Sequence, residues 1–349
     1  MPVAPTLVDR LRAVGRDAGL DALGIARAEP FTSTRDDLVD RKAAGLHGGM
    51  QFTYRDPGRS TDPTRILAGA RTLVVGARSY RRAAPRPVPG VSGRVAAYAW
   101  RDHYADLRRG LQAVADALDA EGWRARVVAD DNALVDREAA VRAGLGWYGK
   151  NSTVLLPGVG SEFVIGSVVT DADLPVADER VADGCGSCRR CVDACPTGAI
   201  VAPGVIDARR CLAWLVQAGG DFPEEHREAL GDRIYGCDDC QDVCPVNRRS
   251  AAADGAPAAE PDAVDRVDLV ALLRSDDDAL LAAHGRWYIP DRDPRYLRRN
   301  ALVALGNSGR AEDPSVLEVL MAHRDGEDEM LARHATWALG HLGPPVGAA

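Results

Sequence analysis

All eight cysteines of this 349-residue chain fall between positions 185 and 244, and their spacing constrains the fold more than any other feature. The first run reads Cys185-x2-Cys188-x2-Cys191-x3-Cys195-Pro196. The second is Cys211, followed by Cys237-x2-Cys240-x3-Cys244-Pro245. At the first spacing, three thiolates hold one iron–sulfur cubane and the fourth crosses to a second. The second run ends in the same Cys-Pro pair but lacks one close cysteine, and Cys211 can stand in for it from upstream. Two cubanes need eight thiolates, and none of the chain's eight is spare. The accounting predicts a crossed arrangement. Cys185, Cys188, Cys191 and Cys244 surround one [4Fe–4S] cluster, and Cys195, Cys211, Cys237 and Cys240 surround the other.

Two alternatives fit less well. A disulfide framework belongs to small secreted domains, and this chain is long. Zinc sites pair two CxxC units, which is not the x2-x2-x3-Pro spacing seen here. Paired cubanes imply electron transfer.

The N-terminus carries no apolar stretch resembling a leader, and the best apolar run, Ile66 to Ala77, is interrupted by Arg71. A cytoplasmic location with no membrane partner is the expectation, since thiols stay reduced there. The formal net charge of −8 argues mildly against a nucleic-acid partner. The charge is segregated, however. Acids concentrate between Asp254 and Asp278, while Arg292, Arg295, Arg298 and Arg299 form the densest basic run.

Apolar periodicity predicts a helix over 5–20, with Leu7, Leu11 and Val14 on one face. It predicts strands over 71–77 and 125–130, helices over 102–121 and 136–144 with Gly144 as the cap, and two further strands over 152–157 and 162–171. Strands alternating with helices indicate an α/β domain over 1–180. A ferredoxin-like two-[4Fe–4S] domain follows over 181–250, then an Ala-, Pro- and Asp-rich linker over 251–264. Residues 265–349 form an α-helical segment with an internal repeat. Ala301-Leu-Val-Ala304-Leu305-Gly306 matches Ala335-Thr-Trp-Ala338-Leu339-Gly340, and Gly309 matches Gly343. The glycines Gly306 and Gly340 stand 34 residues apart, with a helix expected between them at Pro314–Met321. This period suggests HEAT-like repeats, too few to stand alone, that pack on the main body.

Gly144-Leu-Gly146-Trp-Tyr-Gly149 fits the dinucleotide pattern G-x-G-x-x-G literally. That fingerprint must follow a strand and open a helix. Here it follows a helix and leads into a strand, so a dinucleotide site is rejected. The glycines are expected to form a tight loop that lets backbone approach a bound group. Lys150 and Asn151 could then reach a cofactor or substrate, although an ordinary loop Lys and Asn is the better reading from composition alone.

Asp130-Asp-Asn-Ala-Leu-Val-Asp136-Arg137, Ala-Gly-Leu-Gly146-Trp-Tyr-Gly149-Lys150-Asn151, Tyr235-Gly-Cys237-Asp-Asp-Cys240-Gln241-Asp242-Val-Cys244-Pro245-Val-Asn247 and Arg299-Asn300-Ala-Leu-Val-Ala-Leu-Gly306-Asn307 together resemble epoxyqueuosine reductases from about residue 60 onward. The resemblance implies a cobalamin (vitamin B12) in the α/β domain beside the two clusters. It also implies the last step of queuosine synthesis on a tRNA with a GUN anticodon, an electron donor that the sequence leaves unidentified, and a monomer. Asp130 matches the family's proton donor, with Asp131 an adjacent rival. Tyr98, Asp130, Arg137, Lys150, Asn151, Ser161, Gln241 and Asp242 are implied as cobalamin contacts. Arg295, Arg298 and Arg299 could meet tRNA phosphates.

The chain departs from the family pattern at Asp102-His103-Tyr104, at Cys211-Leu-Ala-Trp-Leu-Val-Gln217 and at Pro245-Val-Asn247. A second reading is a corrinoid and iron–sulfur reductase of a small molecule, similar to reductive dehalogenases. That reading leaves the repeated tail unexplained. A third is a ferredoxin fused to a scaffold, which leaves the first domain idle.

Overall fold

Two long apolar runs form the centre of the main sheet. The computed structural model describes residues 5–342 apart from 86, 87, 89, 177–179, 255 and 256. Its main sheet contains β1 (Ala22–Arg27), β2 (Thr72–Ser79), β3 (Ala125–Ala129) and β4 (Phe163–Thr170), in the spatial order β1-β2-β4-β3. Every neighbouring pair is antiparallel. The region mixes helices and strands as expected, but its alternating elements build an antiparallel sheet. The physical reason is that β2 and β4 are covered on both faces. Continuous apolar runs report two-sided burial, and strand direction leaves no mark in them.

Helices α1 (Leu7–Asp17) and α2 (His103–Ala120) cover one face, where Leu11, Leu107, Leu111, Val114 and Leu118 meet Ile25, Val74, Val164 and Val168. Thr6 and Asp9 cap α1 reciprocally. Helix α3 (Asp136–Arg142) covers the other face with Ala139, Ala140 and Val141, against Leu73, Val75, Ile165 and Val169. Gly144, at φ +69°, closes α3 as expected. The expected strand over 152–157 is only a two-residue hairpin arm, Val154–Leu155, paired with Trp147–Tyr148. Strand β1 and the helix Thr32–Ala43 were not anticipated, because both lack a marked apolar period.

A second sheet combines three regions of the chain. Strand Ser92–Val95 lies between Arg233–Tyr235 of the cysteine region, to which it is parallel, and Arg266–Asp268, to which it is antiparallel. Its apolar side continues into the C-terminal helices α4 (Leu269–Arg274), α5 (Asp277–His284), α6 (Arg295–Ser308), α7 (Pro314–Arg324) and α8 (Glu329–His341). Gly306 lets α6 and α8 close up, since a Cβ there would lie 2.7 Å from the Cα of Ala338. Gly340 meets nothing comparable, and Gly343 lies outside the described residues.

Helix α6 also clamps the cysteine region. Arg299 is fully buried, and its guanidinium donates to the carbonyls of Leu215 (3.0 Å), Ala218 (2.7 Å) and Gly220 (2.6 Å). Asn300 donates to Val216 O at 2.8 Å, and Asn307 to Arg227 O at 2.8 Å. His334 of α8 accepts the Phe222 N–H at 3.1 Å. Burial pushes its imidazole down to about 4, so it is neutral. Arg299 is thus a structural clamp, unable to meet a phosphate as the sequence suggested. Arg299→Ala strands these carbonyls and is expected to cost about 3 kcal/mol or more, read as a lowered unfolding midpoint together with weaker iron retention.

Candidate active site

The eight cysteines are all unpaired and half-buried, so the disulfide alternative is excluded. The short helix Arg190–Asp193 packs on the equivalent helix Asp239–Asp242, and each contains a cysteine. Two neighbourhoods emerge from their mutual influence. Burial raises the Cys191 thiol, and Cys185 and Cys188 beside it raise it further. Burial raises Cys211, with Cys195 adding to the effect. Burial also pushes Cys237 up to about 12, with Asp239 and Cys211 as further causes. Cys240 is raised by burial and then by Cys237 and Cys211. Cys195, Cys211, Cys237 and Cys240 therefore converge, and Cys185, Cys188 and Cys191 form a separate group. Cys244 follows Cys240 on the same segment, its N–H bonded to Gln241 O at 3.0 Å.

Among the described residues no three ligands approach closely enough to hold a single ion. A cubane is a larger body, and its thiolates stand further apart. The donor set fits two such bodies. The Ala199 N–H already points at Cys195 Sγ at 3.2 Å, the kind of hydrogen bond that tunes a cluster's potential.

Lys150 and Asn151 serve this region. The Lys150 ammonium donates to the carbonyls of Gly186 (2.6 Å) and Cys188 (2.8 Å), so it fixes the first cysteine loop. The Asn151 side chain is buried and donates to the Cys240 sulfur. The glycines before them do permit close approach, but to the chain's own hairpin. A Cβ on Gly146 would sit 2.0 Å from Leu155 O. Trp147 of that hairpin leaves no room for a Cβ on Gly184, at the entry to the first cysteine loop.

Asp130 follows β3 at φ +54°, a left-handed conformation that is costly for a residue other than glycine and recurs at functional sites. Its side chain is exposed to solvent on one side, while protein crowds its other sides. The crowding raises its carboxyl by burial, with Asp102 and Asp131 adding and Arg108 opposing. The Asp130 charge in turn raises the Tyr104 phenol and the Asp136 carboxyl, and its backbone N–H donates to Asp136. Asp131 points elsewhere, accepting the Ala133 N–H at 2.8 Å in a local turn. The departure at His103-Tyr104 acquires a reason here. His103 is buried against Tyr80, at 5.8 Å between ring centroids, while Tyr104 faces Asp130.

The remaining expected contacts divide. Ser161 Oγ donates to Gln241 Oε1 at 2.9 Å, and the Ser161 N–H to Asn247 Oδ1 at 2.8 Å. Tyr80 OH donates to the same Gln241 oxygen at 3.2 Å. This network ties the sheet region to the second cysteine run. Tyr98 OH accepts from Gln217 Nε2 at 3.3 Å and donates to Tyr235. Arg137 is exposed and donates to Ser152 O at 3.0 Å. Asp242 is exposed, and its carbonyl accepts from Arg248. Tyr104, Tyr235, Gln217 and Asp136 belong to this site but were not singled out as contacts. Tyr235 and Asp136 stand inside the quoted motifs, so a signal for those two existed. In the tail, Arg295 pairs with Asp293 and Asp328, and Arg298 with Asp277. A cleft of about 420 Å³ runs between Gly45–Gly49 and Trp214–Pro223 and includes none of the expected cofactor residues.

Residues 184–247 match the family described as a 4Fe-4S double cluster binding domain. An epoxyqueuosine reductase of Bacillus anthracis is 32% identical over 95% of this chain and 88% of its own length. The chain belongs to the epoxyqueuosine reductase family. The Vibrio cholerae epoxyqueuosine reductase is 34% identical over 95% of this chain and 91% of its own. An epoxyqueuosine reductase solved with an epoxyqueuosine-modified tRNA-Tyr stem loop superposes with a TM-score of 0.87. That likeness carries 30% identity and spans 97% of this chain and 91% of that one. A Bacillus subtilis epoxyqueuosine reductase, solved with its catalytic aspartate loop swung out of the active site, gives a TM-score of 0.84 at 30% identity. As a member of this family the chain is an oxidoreductase, and it carries two [4Fe–4S] clusters.

Proposed function

We propose that this chain reduces epoxyqueuosine to queuosine in tRNA, acting as a monomer. The near-full-length likeness to an epoxyqueuosine reductase solved with a modified tRNA stem loop carries the reading. The small-molecule alternative does not account for that likeness, which includes the tail. No described helix is long and apolar enough to cross a membrane, and a cytoplasmic site of action suits a tRNA substrate. The tail's part is to brace the cluster region, and its HEAT-like character rests on the repeat alone.

Removing an epoxide oxygen as water takes two electrons and two protons. Cys185, Cys188, Cys191 and Cys244 would hold one cluster, and Cys195, Cys211, Cys237 and Cys240 the other. The side-by-side packing of their two short helices supports this crossed set. The Asp130 surroundings fit a large organic cofactor such as cobalamin. Asp130 and Arg137 are exposed there, beside phenols that burial keeps neutral, Tyr98 and Tyr104. Bound there, cobalamin supplies a low-valent metal able to break a C–O bond. Tyr98, Arg137, Ser161, Gln241 and Asp242 would position it. Asp130 protonates the departing oxygen, and covering its exposed side with substrate would raise its carboxyl further and keep it in the acid form. A catalytic aspartate loop is named in the Bacillus subtilis enzyme, and the presence of Asp130 at the head of the loop after β3 supports this role here. Arg295 and Arg298 could reach phosphates only by exchanging their acidic partners for them.

Mass analysis of tRNA nucleosides from a strain lacking this protein is expected to show epoxyqueuosine in place of queuosine. Normal queuosine in that strain would refute the proposal.

A further inference from the structure

The reaction consumes two protons, and Asp130 carries one. A further source is Asp136, at the start of α3. Its Oδ1 is buried without a hydrogen-bond partner among the described residues. The backbone N–H of Asp130 donates to the same carboxyl, and the charges of both acids raise the Tyr104 phenol. An ionised carboxylate would not tolerate an orphaned oxygen in such surroundings, whereas a carboxylic acid needs fewer partners.

We propose that Asp136 is the second acid of the site: it reprotonates Asp130 after Asp130 has given its own proton to the epoxide oxygen. The inference rests on the proposed reduction. Two one-electron deliveries from the clusters cleave the first C–O bond, and the Asp130 proton converts the oxygen into a hydroxyl. The Asp136 proton, relayed through Asp130, then allows the second C–O bond to break. Water leaves, the alkene forms, and both carboxylates reload from solvent. Burial is the main reason Asp136 holds its proton. Asp130 and Asp131 reinforce it, while Arg137 and the Asp130 N–H oppose it. Around Asp130 itself stand Arg108, Asp102 and Asp131.

Asp136→Asn keeps an oxygen for the Asp130 N–H and removes only the proton, whereas Asp136→Ala removes both. With the fully loaded enzyme and an epoxyqueuosine-modified stem loop, both variants are expected to turn over roughly 10- to 100-fold more slowly. Stem-loop affinity and iron content should stay unchanged. A wild-type rate and pH profile in Asp136→Asn would overturn the relay, leaving only the hydrogen bond to the backbone.

A second measurement does not depend on turnover. A carboxyl whose pKa is raised on folding gives stability that is full below its unfolded value and fades as pH climbs toward the folded one. Wild-type unfolding midpoints should therefore lose ground to those of Asp136→Asn as pH rises above the ordinary carboxylate range. Parallel curves would show that Asp136 holds no special proton and would sink the proposal. If the wild type itself fails to reduce the stem loop, the functional reading falls while this test of Asp136 still stands.

Discussion

Cys237→Ser is expected to give a protein with about half the iron of the wild type, about four atoms instead of about eight, and no measurable reduction of modified tRNA. Cys237 belongs to the group of Cys195, Cys211 and Cys240, which converges from three separate stretches of chain. A serine alkoxide is a poor ligand for iron, and the buried thiols around it gain nothing by ionising alone. The group of Cys185, Cys188 and Cys191 sits on its own loop, anchored by Lys150, and should keep its cluster. Iron analysis and the visible absorbance of anaerobically purified protein decide the matter. Full iron content in the variant would break the crossed assignment.

Asp130→Asn should leave both clusters spectroscopically intact and lower the turnover number by about 10²- to 10⁴-fold, the range of a positioned general acid. The acid form does the work, so the wild-type rate falls as pH rises through the folded-state pKa. Burial displaces that point upward from the ordinary carboxylate range. Asp130→Asn removes this descending limb and leaves a flat residual rate. The same substitution at Asp131, which caps a local turn, should be close to neutral for turnover. Comparable losses in the two variants would mean that the turn's shape matters and not the proton.

Parts of the site were legible because they are written in local spacing. Cys185 to Cys195 and Cys237 to Cys244 each lie within one or two turns of chain, so their intervals declare their chemistry before folding. Gly144 closes α3 where the apolar period ends. The inverted context of Gly146 and Gly149 excluded a dinucleotide site, although the neighbour they admit is Leu155, a part of the chain itself. Arg299 was read as reaching outward to phosphates, because a charged side chain is exposed by default, but it is buried against the carbonyls of Leu215 to Gly220. Lys150 and Arg298 also find partners on distant segments, the carbonyls of Gly186 and Cys188 and the carboxylate of Asp277.

The sequence by itself determined the two iron–sulfur sites, the helical tail and the kinship, because ligand intervals and apolar periods survive in one dimension. Tertiary structure alone decided the antiparallel order of the sheet, the engagement of the tail's arginine with the cysteine region, and the meeting of Asp130 with Asp136 and Tyr104. Strand direction carries no hydrophobic signature when both faces are buried. The proton affinity of a carboxyl depends on which walls close around it, and those walls come from helices far apart in the chain.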